Sequence, residues 1–340
     1  MSSLATVCGI NVYRYWTYAT VSKNPFKRAV SMMSFATMLW LFAFKIKKIQ
    51  GYDRVIIQSP PLPVAGSAIT LFKKIFGRKT LVNISDLWPL SAVELGAMCE
   101  GGKIYNIFAW IERYIYRNAD GIFGQSEEII RHVNQFPSTK NKFVYRNLQQ
   151  YAVAAQPKRK HTPFRIVYAG LLGVAQDIYS IIENIPFQSI GAEFHLYGGG
   201  NQTEKIKEYI NKHPGCFVYY HGYVKKEQIA EELSRYDASI VPLTVAIKGA
   251  VPSKIYDLIP IGIPILFCGG GEGAEIVSKY YFGMVSKPHD FKQLHNNIIE
   301  LSNLPDEEYS TISKNCLDMA KNESDFNKQL YRCYDFIKSI

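Results

Sequence analysis

The segment 251–277, VPSKIYDLIPIGIPILFCGGGEGAEIV, gathers several phosphate-handling groups in one short stretch. Ser253 stands at an expected helix start, where a hydroxyl and the free backbone N–H groups of a first turn can hold a phosphate. Lys254 adds a positive charge at the same end. Asp257 follows about one turn later on the same face, where a carboxylate can accept hydrogen bonds from ribose hydroxyls. Gly269, Gly270 and Gly271 lead into a second helix, whose amino end also favours an anion. Each feature has a plainer reading: a capping serine, a solvated lysine, a glycine turn. Any one alone favours the plainer reading, but their combination favours a diphosphate site.

The surrounding sequence supplies the scaffold. β-rich runs at 54–58, 80–84 and 121–124 alternate with helical patterns at 64–76, 104–117 and 127–133. A second series places strands at 164–170, 194–197, 217–220, 238–242 and 264–267, with a helix at 226–236. Short apolar strands separated by helices predict βαβ crossovers, and so an α/β fold of two Rossmann-like parallel-sheet domains. The stretch 152–163, AVAAQPKRKHTP, breaks the pattern and reads as a linker. The expected division is 1–151, linker 152–163, 164–322, and a final helix in 323–340 that packs back on the first domain. Strands of the second series end in glycine, as at Gly170 and Gly198. Ligands of open α/β sheets bind at such carboxyl ends, where glycine permits a close approach.

Length and charge narrow the partners. A chain of 340 residues that is 47% hydrophobic suits two folded domains and excludes general disorder. The net charge of +10 suits diphosphates, anionic lipid headgroups or nucleic acid. No RNP-like or helix-turn-helix signature supports nucleic acid. Cys8, Cys99, Cys216, Cys268, Cys316 and Cys333 are scattered without a CxxC pair, and no metal site is predicted. Scattered cysteines fit a reducing cytoplasm, and the amino end does not read as a signal peptide. The most apolar stretch, 29–44, falls short of the ~20 residues of a spanning helix. Lys27, Arg28, Lys45, Lys47 and Lys48 flank it. It reads as a helix packed on a sheet, or one whose exposed side dips into an anionic headgroup region, and both can hold.

The 251–277 segment resembles the donor-binding region of GT-B glycosyltransferases of family GT4, in particular the WbuB-like aminosugar transferases of O-antigen and capsule synthesis. The family pattern is approximately V-P-S-K-x-[YF]-E-x-x-x-x-G-x-P-[VI]-L, then G-E-x-A-E-[IL]-V. Tyr168-Ala-Gly-Leu-Leu-Gly-Val-Ala-Gln176 resembles its Y-x-G-x-L-G-x-A-Q turn, and His195-Leu-Tyr-Gly-Gly-Gly200 its glycine-ended strand. His221-Gly-Tyr-Val224 resembles its base-framing loop. Ser59-Pro-Pro61 and Asp86-Leu-Trp-Pro-Leu-Ser-Ala-Val93 resemble its S-P-P and D-L-W-P-x-S-A-V motifs. The resemblance runs from about Gly9 to the carboxyl end.

This resemblance implies a GT-B fold whose two domains face a cleft. It implies that Ser253 and Lys254 hold the diphosphate and Asp257 the ribose. Gly270, Gly271, Glu272 and Glu275 would serve the phosphate–sugar end, with Gly170, Gly173, Gly198, Tyr223 and Val224 around the donor. Ser59, Asp86, Trp88 and Ser91 would lie on the acceptor side. Asp86 would orient or deprotonate the acceptor hydroxyl; its plainer reading is a helix N-cap. The implied reaction is retaining transfer without cofactor or metal, with Lys254 stabilising the leaving diphosphate. The donor would be a UDP-linked aminosugar or deoxysugar, and the acceptor an undecaprenyl-diphosphate-linked glycan at the inner membrane face. A nucleotide-binding accessory protein and a nucleotide-sugar 2-epimerase are the alternatives. Three departures stand out: Gly249 and Asp257 occupy the family's Glu-x7-Glu positions, 171–176 carries no cation, and the family's opening βαβ unit has no counterpart.

Overall fold

The computed structural model describes residues 3–7, 9–22, 24–46 and 52–340. Cys8, Lys47, Lys48 and Gly51 lie outside the described residues. The chain forms two compact units: Met1–Tyr145 with Tyr334–Ile340, and Arg146–Cys333.

In the first unit, β1 (Ser3–Val7) and β2 (Ile10–Arg14) pair as an antiparallel hairpin. A separate parallel sheet runs β3 (Arg54–Ser59), β4 (Lys79–Ile84), β5 (Gly121–Gly124) and β6 (Lys142–Val144), in that order. Leu81, Val82, Ile84 and Ile122 are buried within it, as strands covered on both faces require. The 64–76 pattern is realised as a helix over Leu62–Ile69 that widens into a π-helical turn over Thr70–Ile75. Helix Lys103–Asn118 buries Glu112 among its apolar residues. That carboxylate is held by Tyr116 Oη at 2.8 Å and His132 Nε2 at 2.9 Å, which offsets its desolvation.

The apolar stretch lies in helix Pro25–Ile46. Ala36 and Ala43 are buried, Leu39 packs on the core, and Trp40 Nε1 donates to Ser67 Oγ at 2.6 Å. On another stripe, spaced by four and three, Phe26, Val30 and Met33 are exposed. One face therefore packs and another is apolar and uncovered. Among the described residues no helix is long and apolar enough to cross a membrane.

The second unit holds one parallel sheet with the order β12-β11-β10-β7-β8-β9. Its strands are β7 (Phe164–Leu171), β8 (Ala192–Gly199), β9 (Val218–Gly222), β10 (Ala238–Pro242), β11 (Ile265–Cys268) and β12 (Gly283–Ser286). The chain starts in the middle, builds outward one way, then returns to build the other way from β10. The reversal between β7 and β10 is a topological switch point, the place where doubly wound sheets bind ligands. The cores on the two sheet faces hold Ile166, Phe194 and Ile240 on one side and Val167, Val241 and Phe267 on the other.

The 152–163 stretch has no helix or strand, and it is tied along the second unit. Ala154 N donates to Pro260 O at 2.8 Å, and Lys158 N to Ser313 Oγ at 2.8 Å. Asp237, fully buried, receives His161 Nδ1 at 2.7 Å and Arg165 N at 2.7 Å. The final helix runs Phe326–Ser339. Within the first unit, its Phe336 ring stacks on Phe143 at 5.4 Å and meets Phe123 edge-on at 5.1 Å.

Candidate functional site

The central strands of the second unit end in bare backbone. Gly170 and Gly198 are register partners, with φ of +151° and +117°. A Cβ at Gly198 would collide with the Gly170 carbonyl oxygen, and one at Gly199 with the Tyr223 hydroxyl. Glycine is thus required both by dihedral and by space. Gly173 closes the turn after β7: its carbonyl accepts from Asp177 N at 3.0 Å.

Lys254 opens the short helix Lys254–Leu258 and sends its amino group to this end of β7. Nζ donates to Tyr168 Oη at 2.8 Å and sits 4.1 Å from the centre of the Tyr168 ring. A Cβ at Gly170 would come within 2.5 Å of Nζ. Burial pulls the Lys254 amine down to about 8, against a smaller opposing pull from Asp257. Asp257 is shifted the other way: burial pushes it up to about 6, partly offset by Lys254 and Lys226. Its Oδ1 is buried with no hydrogen-bond partner. Folded proteins seldom leave such an atom unpaired, so its place beside a cavity suits a ligand hydroxyl. Burial dominates both shifts, so each group is poised nearer neutrality than it would be in water.

Two cavities adjoin here. One of about 380 Å³ is lined by Gly170, Leu171, Gly198, Gly199, Tyr223 and Val224. A smaller one is lined by Lys254, Asp257 and Tyr151, and the two share Ala169 and Ile229. Tyr223 is 82% exposed, free to cover a planar ligand. The loop bearing it leaves β9 after Gly222, next to His221, whose Nε2 lies 2.9 Å from His195 Nδ1.

The other expected donor residues are placed as follows. Ser253 precedes the Lys254–Leu258 helix, but its hydroxyl caps no backbone amide. Gly270 is the N-cap of helix Gly271–Lys279, and Gly271 takes a φ of +67°. Glu272 is 3% exposed and paired with Arg146 at 2.5 Å, so within this unit its carboxylate is committed to a guanidinium. Glu275 is exposed on the same helix. Leu171 and Val174, in the loop without a cation, are 62% and 69% exposed.

In the first unit, Ser59 ends β3 and is buried, its carbonyl accepting from Ser85 N at 3.0 Å. That bond aligns the carboxyl ends of β3 and β4, where Asp86 is exposed. Asp86 caps no helix: the next helix runs Leu90–Glu94 with Pro89 as its N-cap residue, so the N-cap reading is not realised. Its carboxyl is held above the usual range by partial desolvation, with the Ser85 hydroxyl at 3.5 Å pulling the other way. Ser91 is buried and donates to Leu87 O at 3.0 Å, an internal bond. Trp88 packs edge-on against Phe108 at 5.8 Å. Among the described residues no group of three or more His, Cys, Asp or Glu is arranged to hold a metal ion.

Sequence reasoning passed over Tyr151, Arg146 and the role of Tyr168. Each lies far along the chain from the group it serves, so no local spacing signals it.

Residues 3–145 match the family model of a glycosyl transferase 4-like domain, and residues 163–303 that of glycosyl transferases group 1. No curated protein matches the chain. Among solved structures, TarM from S. aureus, in complex with fondaparinux, alpha-GlcNAc-glycerol and UDP, is similar at 18% identity and a TM-score of 0.60. That match covers 88% of this chain and 58% of TarM, so this chain spans little more than half of TarM's length. HepE from Anabaena, in complex with UDP-glucose, matches at 14% identity and a TM-score of 0.66 over 93% of this chain and 84% of its own. Sucrose-phosphate synthase from Thermosynechococcus elongatus matches at 16% identity and a TM-score of 0.68 over 90% and 79%. At these identities the likeness is one of fold.

Proposed function

We propose that this chain, built of a glycosyl transferase 4-like domain and a glycosyl transferases group 1 domain, is a GT-B glycosyltransferase that moves an aminosugar or deoxysugar from a UDP-linked donor to an undecaprenyl-diphosphate-linked glycan. The product would be a cell-surface polysaccharide, made at the inner face of the plasma membrane. The observation that carries this reading is the placing of Lys254, held by Tyr168, one helical turn from Asp257, whose Oδ1 is buried without a hydrogen-bond partner, at the switch point of the second unit. The ammonium answers the leaving diphosphate, and the carboxylate answers the ribose hydroxyls. UDP in the similar TarM and HepE structures supports the choice of nucleotide. Transfer proceeds with retention, the positive charge of Lys254 stabilising the negative charge that the leaving diphosphate develops. Asp86, with its raised pKa, orients or deprotonates the acceptor hydroxyl.

The direct test is transfer from a panel of labelled UDP-sugars to the lipid-linked acceptor. Binding of UDP without transfer from any donor would favour the accessory-protein reading, to which the apolar Leu171 and Val174 lend some weight. Sugar released epimerised in the absence of acceptor would favour the 2-epimerase.

Asp257→Asn tests the ribose contact. The Asp257 carboxyl titrates at about 6, so the carboxylate is present above that pH and is lost below it. UDP affinity measured by calorimetry should therefore fall as pH drops from about 7 to about 5, and the variant should bind roughly tenfold more weakly at the higher pH. A folded pKa above the unfolded value means that the ionised carboxylate costs stability above pH 6. The variant should thus melt a few degrees higher at neutral pH. Unchanged affinity with unchanged melting would remove Asp257 from the site.

The exposed stripe of Phe26, Val30 and Met33, with the basic residues Lys27 and Arg28 beside it, suits an anionic lipid surface. Phe26→Glu with Met33→Glu should reduce sedimentation with phosphatidylglycerol vesicles about tenfold or more, while UDP affinity stays the same. Equal sedimentation of variant and unaltered chain would show that the stripe does not face lipid.

A further inference from the structure

The amino group of Lys254 is gripped by a residue far from it in sequence. We propose that Tyr168 is a positioning residue for the leaving diphosphate, its buried hydroxyl setting the direction in which the Lys254 ammonium points. The inference rests on the reading of Lys254 as the diphosphate cation.

Tyr168 is wholly buried on β7. Its Oη donates to the Leu171 carbonyl at 2.6 Å, which commits the single phenolic proton. Toward Lys254 the same oxygen can therefore only accept, and it does so at 2.8 Å. The ring lies beneath the same ammonium, 4.1 Å from Nζ to its centre, in cation–π range. Beside the hydroxyl, Gly170 offers bare backbone where a Cβ would stand 2.5 Å from Nζ and 3.2 Å from Tyr168 Oη. Hydroxyl, ring face and glycine together form a socket.

A free lysine stem spreads its charge over many rotamers, and only a fraction of them favours a given anion. The socket removes that spread in advance, which is the condition for electrostatic stabilisation without reorganisation. An ammonium has three N–H donors, and Tyr168 engages one, leaving two for phosphate oxygens. The hydroxyl also pins the Leu171 carbonyl, so the turn after β7 and the lysine are set by one atom. With no cation in 171–176, the placement of Lys254 matters more here than where several charges share the task.

Tyr168→Phe in the full chain is the test, read by UDP calorimetry across pH and by transfer kinetics. UDP affinity should fall about fivefold and kcat about tenfold, with KM for the acceptor unchanged. Loss of an acceptor disfavours the ammonium, so the alkaline fall-off in UDP affinity should move to lower pH. In a Lys254→Met background, Tyr168→Phe should change nothing further. Gly170→Ala, whose added methyl would displace Nζ from the hydroxyl, should reproduce the pH shift. Wild-type affinity and pH profile in Tyr168→Phe would overturn the proposal, as would additivity with Lys254→Met. Loss of cooperative melting in Tyr168→Phe would overturn it too, since the hydroxyl would then be holding the strand end rather than the lysine. If the unaltered chain does not bind UDP, the proposed function itself fails; binding by the unaltered chain with an indifferent Tyr168→Phe removes only the positioning role.

Discussion

Lys254→Ala should lower the rate of sugar transfer by roughly 10²–10³-fold, the loss seen when one preorganised donor to a developing anion is removed, or about 3–4 kcal/mol of transition-state stabilisation. The effect should fall mainly on kcat, because the diphosphate gains charge as the glycosidic bond breaks and the ammonium matters most at that moment. UDP binding should weaken by a smaller factor, about tenfold. Lys254→Arg should not restore the rate. The socket of Tyr168 and Gly170 fits a compact ammonium, and a planar guanidinium would have to enter where even one added Cβ at Gly170 would crowd Nζ. The unaltered enzyme should lose activity as pH rises through about 8, where the buried amine gives up its proton. That alkaline limb should be absent from the residual activity of Lys254→Ala. Full transfer by Lys254→Ala would dissociate this residue from catalysis.

Gly198→Ala should destabilise the second unit by about 3–5 kcal/mol, from a strained dihedral and an overpacked contact together. The strand register leaves no escape. Gly198 and Gly170 are partners across the β7–β8 ladder, and the added methyl would meet the Gly170 carbonyl oxygen. Moving either strand breaks the ladder that places Tyr168 and so Lys254. Thermal melting should drop by roughly 10 °C, and UDP binding should weaken in the fraction that remains folded. Gly215→Ala is the control: its φ of +86° is also strained, but nothing lies within 4 Å of the added atom. It should cost only about 1–2 kcal/mol, so the difference between the variants isolates the steric part. Equal melting of the two would show that the β7–β8 ends yield more easily than their geometry indicates.

The strands most legible in the sequence were the short runs of branched and aromatic residues, 164–170, 238–242 and 264–267, which lie in the centre of a sheet covered on both faces. Complete burial leaves a continuous apolar run, and such a run shows at the level of composition. Strand β12, GMVS, did not announce itself, because four residues at a sheet edge carry too little pattern. Nor did the hairpin β1–β2. The stretch 152–163 read as a linker because it is polar and proline-bearing. Composition cannot tell a free linker from one whose amides find partners along a domain, as those of Ala154 and Lys158 do. In the site, Lys254 and Asp257 were legible because one turn of helix sets them side by side.

Glu272 shows where local reading stops. Its position in the glycine-rich segment suggested a ligand contact, but its carboxylate pairs with Arg146, 126 residues away. The sequence alone determined that this chain has two parallel-sheet domains and that Lys254 and Asp257 stand one helical turn apart, since strand periodicity and helix spacing act over a few neighbouring residues. Only the tertiary structure decided that Lys254 is gripped by Tyr168, 86 positions earlier, and that Asp257 keeps a buried oxygen unpartnered. Those facts depend on which strands lie side by side, and strand order follows from packing the whole sheet rather than from any short run of residues.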